Sequence, residues 1–182
     1  MKPWRAYMEL FLTAGIIVAL DQWTKVLVRT RLPFGGTWVP WDWMTPYARI
    51  IHWYNTGAAF GLFQRGNVVF TVLAFFVIAA ILYYYPRLPA GDWTLHLALD
   101  LQMGGAIGNL IDRLTSGQVT DFISVGTFPV FNIADGCISA GVGVLLLGAW
   151  LNERAEKKLV AVGSKGVPQV ESGSDNGEIR SG

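Results

Sequence analysis

One cysteine, Cys137, stands among the 182 residues, so no internal disulfide framework and no CxxC metal site can form. There are only two histidines, His52 and His96, and no HExxH or comparable spacing offers a zinc site. Charge is scarce: 14 basic and 13 acidic residues leave a formal net charge of +1, with no basic surplus to suggest nucleic acid as a partner. What the chain has instead is apolar mass. Hydrophobic residues make up 52% of it and mean hydropathy is positive, the composition of a one-domain membrane protein.

Four apolar segments are long enough to be considered as spans. Lys2 and Arg5 precede the first, Tyr7 to about Val28, which no small-x-small site separates from a soluble mature domain. It is expected to be an uncleaved helix with a cytoplasmic start. Val68 to Tyr85 gives 18 residues without a formal charge, just enough at 1.5 Å rise to cross a hydrocarbon core of roughly 30 Å. Trp93 to about Leu114 tolerates Asp100, Asp112 and Arg113, and the fourth span runs from about Ile133 to Leu151. Lys2/Arg5, Arg87 and Arg154/Lys157/Lys158 agree on the cytoplasm for both termini. Lys25, Arg29, Arg31, Arg49 and Arg65 lie on the other side, several of them in a long loop, where the bias counts less.

Between the first two spans the character changes. Pro33, Pro40 and Pro46 break any helix, and Trp38, Trp41, Trp43 and Trp53 favour the lipid headgroup zone, so residues 30–67 read as a sheet-like platform on the outer face. Ala48 to Tyr54 fits a short strand and Asn55-Thr-Gly a turn. The expected architecture is an all-α membrane protein: residues 1–155 form four transmembrane helices with a small extracytoplasmic β-cradle. The Gly- and Ser-rich residues 156–182 read as a disordered cytoplasmic tail.

Small residues on the third span (Gly104, Gly105, Ala106, Gly108) and fourth (Gly136, Ala140, Gly141, Gly143) allow close packing, which brings the outer end of one to the start of the other. At that junction lie five ionisable groups, and at membrane depth such groups are functional candidates. Asn109, Asp112 and Arg113 share one helix face, Val119 to Ile123 alternates as a strand, and Asn132 with Asp135 opens the last helix. Asn132 as N-cap and Asp135 near the dipole explain that motif without any chemistry, as readily as catalysis does. Arg113 is expected to bridge Asp112 or Asp21, which leaves Asp121 and Asp135 without a cation. Set close together, these two would share one proton and supply an acid and a base for amide hydrolysis by water. Cys137 lacks a nearby histidine base and reads as a packing residue. The residues alone leave a small proton-coupled transporter open beside the peptidase, and a non-catalytic scaffold behind both. The transporter predicts carboxylates spread through the bilayer and broken helices, whereas these cluster at one edge.

Five blocks in order carry a resemblance along about residues 7–152: Asp21-Gln-Trp-Thr-Lys25, Asn55-Thr-Gly-Ala-Ala-Phe-Gly61, Gly104-Gly-Ala-Ile-Gly-Asn-Leu-Ile-Asp-Arg113, Val119-Thr-Asp-Phe-Ile123 and Phe131-Asn-Ile-Ala-Asp135. The chain resembles the lipoprotein signal peptidases (signal peptidase II), bacterial membrane aspartyl peptidases. The resemblance implies Asp121 and Asp135 as the catalytic pair, supported by Asp21, Lys25, Asn55, Gly105, Asn109, Asp112, Arg113, Asn132 and Ala134. It implies cleavage of diacylglyceryl-modified prolipoproteins just before the lipidated cysteine, without metal or organic cofactor, by a monomer. That monomer would sit in the bacterial cytoplasmic (inner) membrane with its site near the extracytoplasmic face, and would be sensitive to globomycin. Gly136 and Thr120 depart from the usual pattern, a small polar and an apolar residue respectively, and bear on fine geometry only.

Overall fold

The computed structural model describes residues 3–56 and 66–165. Four long helices and one sheet follow in the order α1 (Pro3–Arg31), β1 (Thr37–Trp38), β2 (Ala48–Asn55), α2 (Gly66–Tyr84), α3 (Trp93–Ser116), β3 (Val119–Val125) and α4 (Ile133–Lys165). Contacts divide the chain into two compact units, Met1–Gly148 and Ala149–Gly182. In the second, α4 continues well past Leu151, through the Lys157–Glu153 ion pair and Arg154 over the Trp150 ring. Residues 156–165 of the expected tail are therefore helical; the remainder lies outside the described residues, as do Gly57 to Gly61 of the second sequence block.

Among the described residues, three helices are long and apolar enough to cross a membrane: Trp4–Arg31, Gly66–Arg87 and Ile133–Lys158. Leu12, Phe76 and Leu146 stand exposed on them, as side chains facing lipid do. The helix α3 differs in being half buried within the protein. Twelve of its residues are buried, among them Asp100, Asn109 and Asp112, and the last two meet polar partners on α1 and α4. Asp92 caps its start by accepting from Leu95 N, and Gly117, in the left-handed region at φ 73°, ends it.

The helices approach through glycine. A Cβ on Gly104 would stand 2.7 Å from Ile17 of α1, and one on Gly105 would stand 2.5 Å from the Ala134 carbonyl of α4. Backbones that close share dispersion contacts that lipid does not supply. Leu10 and Ala14 of α1, Ile81 of α2 and Met103 of α3 fill the apolar core at the other end with Tyr85.

Three antiparallel strands form the sheet in the order β1-β2-β3. The platform read from residues 30–67 is thus completed by a strand from far along the chain. Its register shifts once. Ile50 pairs with Ile123, but Trp53 pairs with Asp121, so β2 has two residues where β3 has one. Side chains alternate faces along a strand, and this bulge moves Asn55 onto the face that carries Asp121.

Candidate active site

Asp121 comes from β3 and Asp135 from the first turn of α4. After β3 the chain turns at Gly126, whose φ of 52° suits glycine, and Phe131 pairs back with Ile123. That return delivers Asn132 next to Asp121 and starts α4. Asn132 Oδ1 accepts from Asp135 N at 2.9 Å, while Asp135 Oδ2 accepts from Asn132 N at 3.3 Å. This is a reciprocal N-terminal cap, so the capping reading of the motif holds at the level of geometry. The same asparagine donates from Nδ2 to Asp121 Oδ1 at 2.7 Å. One fully buried residue thereby holds both carboxylates, Asp121 through its side-chain amide and Asp135 through its backbone N–H.

Each carboxylate has a second donor. Asn55 Nδ2 reaches Asp121 Oδ2 at 3.0 Å, diagonally across the sheet, and Asn109 Nδ2 reaches Asp135 Oδ1 at 2.7 Å from α3. Burial and the charge of Asp135 push the Asp121 carboxyl up to about 6, against the opposing pull of the Asn55 and Asn132 hydrogen bonds and of Lys25. Both aspartates line a cavity of about 790 Å³ with Asn55, Asn109 and Arg113, and with Phe70, Leu73, Ala74 and Val77 of α2.

Behind the pair lies the charge network. Lys25 Nζ is 2.8 Å from Asp21 and 3.2 Å from Asp112, all three side chains being shut off from solvent, and it donates to Asn109 Oδ1 at 3.0 Å. Asp21 Oδ1 in turn accepts from Ala134 N at 3.0 Å, holding an otherwise unpaired N–H at the start of α4. Gly105 and Gly108 make room for this: a Cβ on Gly108 would stand 2.6 Å from Asp21 Oδ2.

Arg113 does not bridge Asp112 or Asp21. Neighbouring residues on a helix point about 100° apart, so Asp112 faces α1 while Arg113 faces the cavity. There its Nη1 approaches the Asn109 carbonyl at 3.4 Å and its guanidinium lies over the Phe70 ring. Lys25 takes the bridging role, and Arg29, which the sequence reading left out, adds a second cation. Arg29 Nη1 is 3.4 Å from Asp112 Oδ1 and donates to Thr120 Oγ1 at 3.1 Å. Gln22 is the other group missed, donating to Asp21 Oδ2, Asp112 Oδ1 and the Gly108 carbonyl. Both lie one helical turn or less from Lys25 on α1, which is the only signal the sequence held. Neither histidine reaches Cys137: His52 Nδ1 pairs with the Leu32 carbonyl and His96 Nδ1 with that of Asp92.

A family model described as signal peptidase (SPase) II matches residues 13–151. The chain belongs to the signal peptidase II family. The matched span takes in every site residue from Asp21 to Asp135. A lipoprotein signal peptidase from Shouchella clausii is 40% identical over 152 residues, covering 81% of this chain and 97% of that one. Another, from Mesorhizobium japonicum, is 37% identical over 161 residues, covering 86% and 92%. A solved bacterial membrane enzyme, determined by the in meso method at 2.3 Å resolution, superposes with a TM-score of 0.72 at 29% identity, over 81% of this chain and 90% of its own. As a member of the signal peptidase II family the protein is a membrane peptidase of the aspartic type.

Proposed function

We propose that this peptidase removes signal peptides from diacylglyceryl-modified prolipoproteins, cutting before the lipidated cysteine with Asp121 and Asp135 as its catalytic pair. The observation that carries the reading is the shared asparagine. Asn132 holds the Asp121 carboxylate with its side-chain amide and the Asp135 carboxylate with its backbone N–H, at the head of an apolar cavity where a peptide bond and its lipid would lie together.

In the resting pair Asp121 holds the proton and Asp135 is the base. Asp135 takes a proton from water as the water oxygen attacks the scissile carbonyl carbon. Asp121 gives its proton to the carbonyl oxygen, and a neutral gem-diol results. On collapse the nitrogen takes the proton from Asp135, Asp121 recovers one from a diol hydroxyl, and the C–N bond breaks. Arg113, on the cavity wall, is suited to a polar group of the bound lipid or peptide.

A lipid-modified substrate leaves the bilayer at great cost, which favours a site at the interface. In this reading α3 crosses as a fourth span, its polar groups sheltered by α1, α2 and α4. Both termini are cytoplasmic, the sheet and the pair face the extracytoplasmic side, the enzyme works as a monomer without metal or cofactor, and globomycin inhibits it. The Trp-rich segment from Trp38 to Trp53 gates entry.

The test is cleavage of a diacylglyceryl-modified prolipoprotein by purified wild type, Asp121→Asn and Asp135→Asn, read by product mass. Cutting before the cysteine by wild type, and none by two folded variants, supports the pair. Cutting by both variants moves the chemistry elsewhere, with Asp112 the next carboxylate to examine.

A further inference from the structure

The cavity continues below the aspartates, and its deep wall carries one polar side chain that the reaction described above does not use. Gln102 lies seven residues before Asn109 on α3, two turns down the same face and about 10 Å deeper. Around it the wall is Val77, Ala106 and Ile138. Gly141 of α4 makes room for its stem, since a Cβ there would stand 2.9 Å from Gln102 Cγ. Among the described residues its carboxamide has no hydrogen-bond partner.

Gln102 is half-buried and opens to the cavity, and its carboxamide brings two donors and an acceptor that an apolar occupant displacing water would leave unmet at a cost. An apolar side chain would line such a wall more cheaply. The arrangement makes sense when the occupant of the cavity brings the missing partner.

We infer that Gln102 is a specificity-determining residue that hydrogen-bonds a small hydroxyl side chain within the hydrophobic stretch of the signal peptide. This rests on the peptidase reading above and adds to it that the stretch occupies the cavity running inward from the cut. A depth of about 10 Å corresponds to roughly seven residues of helix or three of extended chain. The partner therefore lies three to seven residues before the scissile bond. Helix-to-helix hydrogen bonds in membranes have modest strength, which translates into a preference of roughly three- to twenty-fold.

The experiment uses the purified full chain and diacylglyceryl-modified substrates with an all-Leu stretch, into which one Ser is moved through positions three to seven before the cut. Within each enzyme kcat/KM is compared between the Ser and all-Leu substrates. Wild type is expected to favour Ser at one position by about that factor, mainly through KM. In Gln102→Met, which keeps the length but loses the amide, the ratio falls to about one. Gln102→Leu repeats the comparison with a different shape. A flat wild-type profile overturns the inference, and so does a preference that survives in both variants, while cleavage itself leaves the peptidase reading standing. If no enzyme cuts any substrate, the peptidase reading fails and the inference with it.

Discussion

Asn109 Nδ2 stands 2.7 Å from Asp135 Oδ1, and the direction of that amide is set from behind. Its Oδ1 accepts from Lys25 Nζ at 3.0 Å and from Asn132 Nδ2 at 3.1 Å, so only the N–H end remains for the carboxylate. A buried cation on α1 thus orients the amide that holds Asp135, a carboxylate with which it makes no hydrogen bond or ion pair of its own.

Lys25→Met is expected to be severe. It would leave Asp21 and Asp112 buried without their shared cation, a loss of about 3–5 kcal/mol for a broken buried pair. Thermal unfolding in detergent should show a large fall in midpoint, and adding Asp112→Asn should recover part of it. A near-normal midpoint for the single variant would show that the network contributes little.

The pH–rate profile carries the signature of Asp121. Its carboxyl is pushed up to about 6, so the proton needed for the acid role is present below that value and lost above it. With a saturable lipidated substrate, kcat/KM should bend downward near pH 6 on the alkaline limb. A profile flat from pH 5 to 8 would remove Asp121 from that role.

Stability responds to the same group with a definite sign. The folded value lies above the ordinary 3.8, so the folded protein binds the proton more tightly than the unfolded chain does. Stability from this group is therefore greatest at low pH and declines as pH rises from about 4 through about 6. Asp121→Asn removes that decline. The difference in unfolding midpoint between variant and wild type should shift in the variant's favour between pH 4 and pH 8.

Two glycines on facing helices should behave oppositely. At Gly108 an added Cβ meets Asp21 Oδ2 at 2.6 Å, so Gly108→Ala should cost about 1–3 kcal/mol and loosen the start of α4. Nothing lies within 4 Å of a Cβ at Gly136, where Ala should be neutral or stabilise by up to about 1 kcal/mol. Paired unfolding scans in one detergent would separate them.

The helices were legible because span length and apolarity are local properties. Uncharged runs marked α2, and the strand from Ala48 showed in its β-branched and aromatic residues. Two-residue β1 offered no pattern to read. Helical angles separate Asp112 from Arg113, but which face meets α1 depends on packing, so the sequence points to Arg113 for the bridge that Lys25 and Arg29 make. Asn132 and Asp135 were readable as a cap from spacing alone. The hold of Asn132 on Asp121 was not, because it depends on the turn at Gly126 folding β3 back onto Phe131.

The extra residue in β2 has a consequence for how this segment can change. Parity decides which side of the sheet Asn55 occupies: paired on from Ile50 without a bulge, His52 would stand opposite Asp121 and Asn55 would face away, whereas removing either residue between Ile50 and Trp53 leaves a regular ladder with Trp53 still opposite Asp121. Substitutions along this stretch act one at a time and by degree. The bulge absorbs one residue of length, so the site can relinquish that residue but not the partnership of Trp53 with Asp121 that aims Asn55.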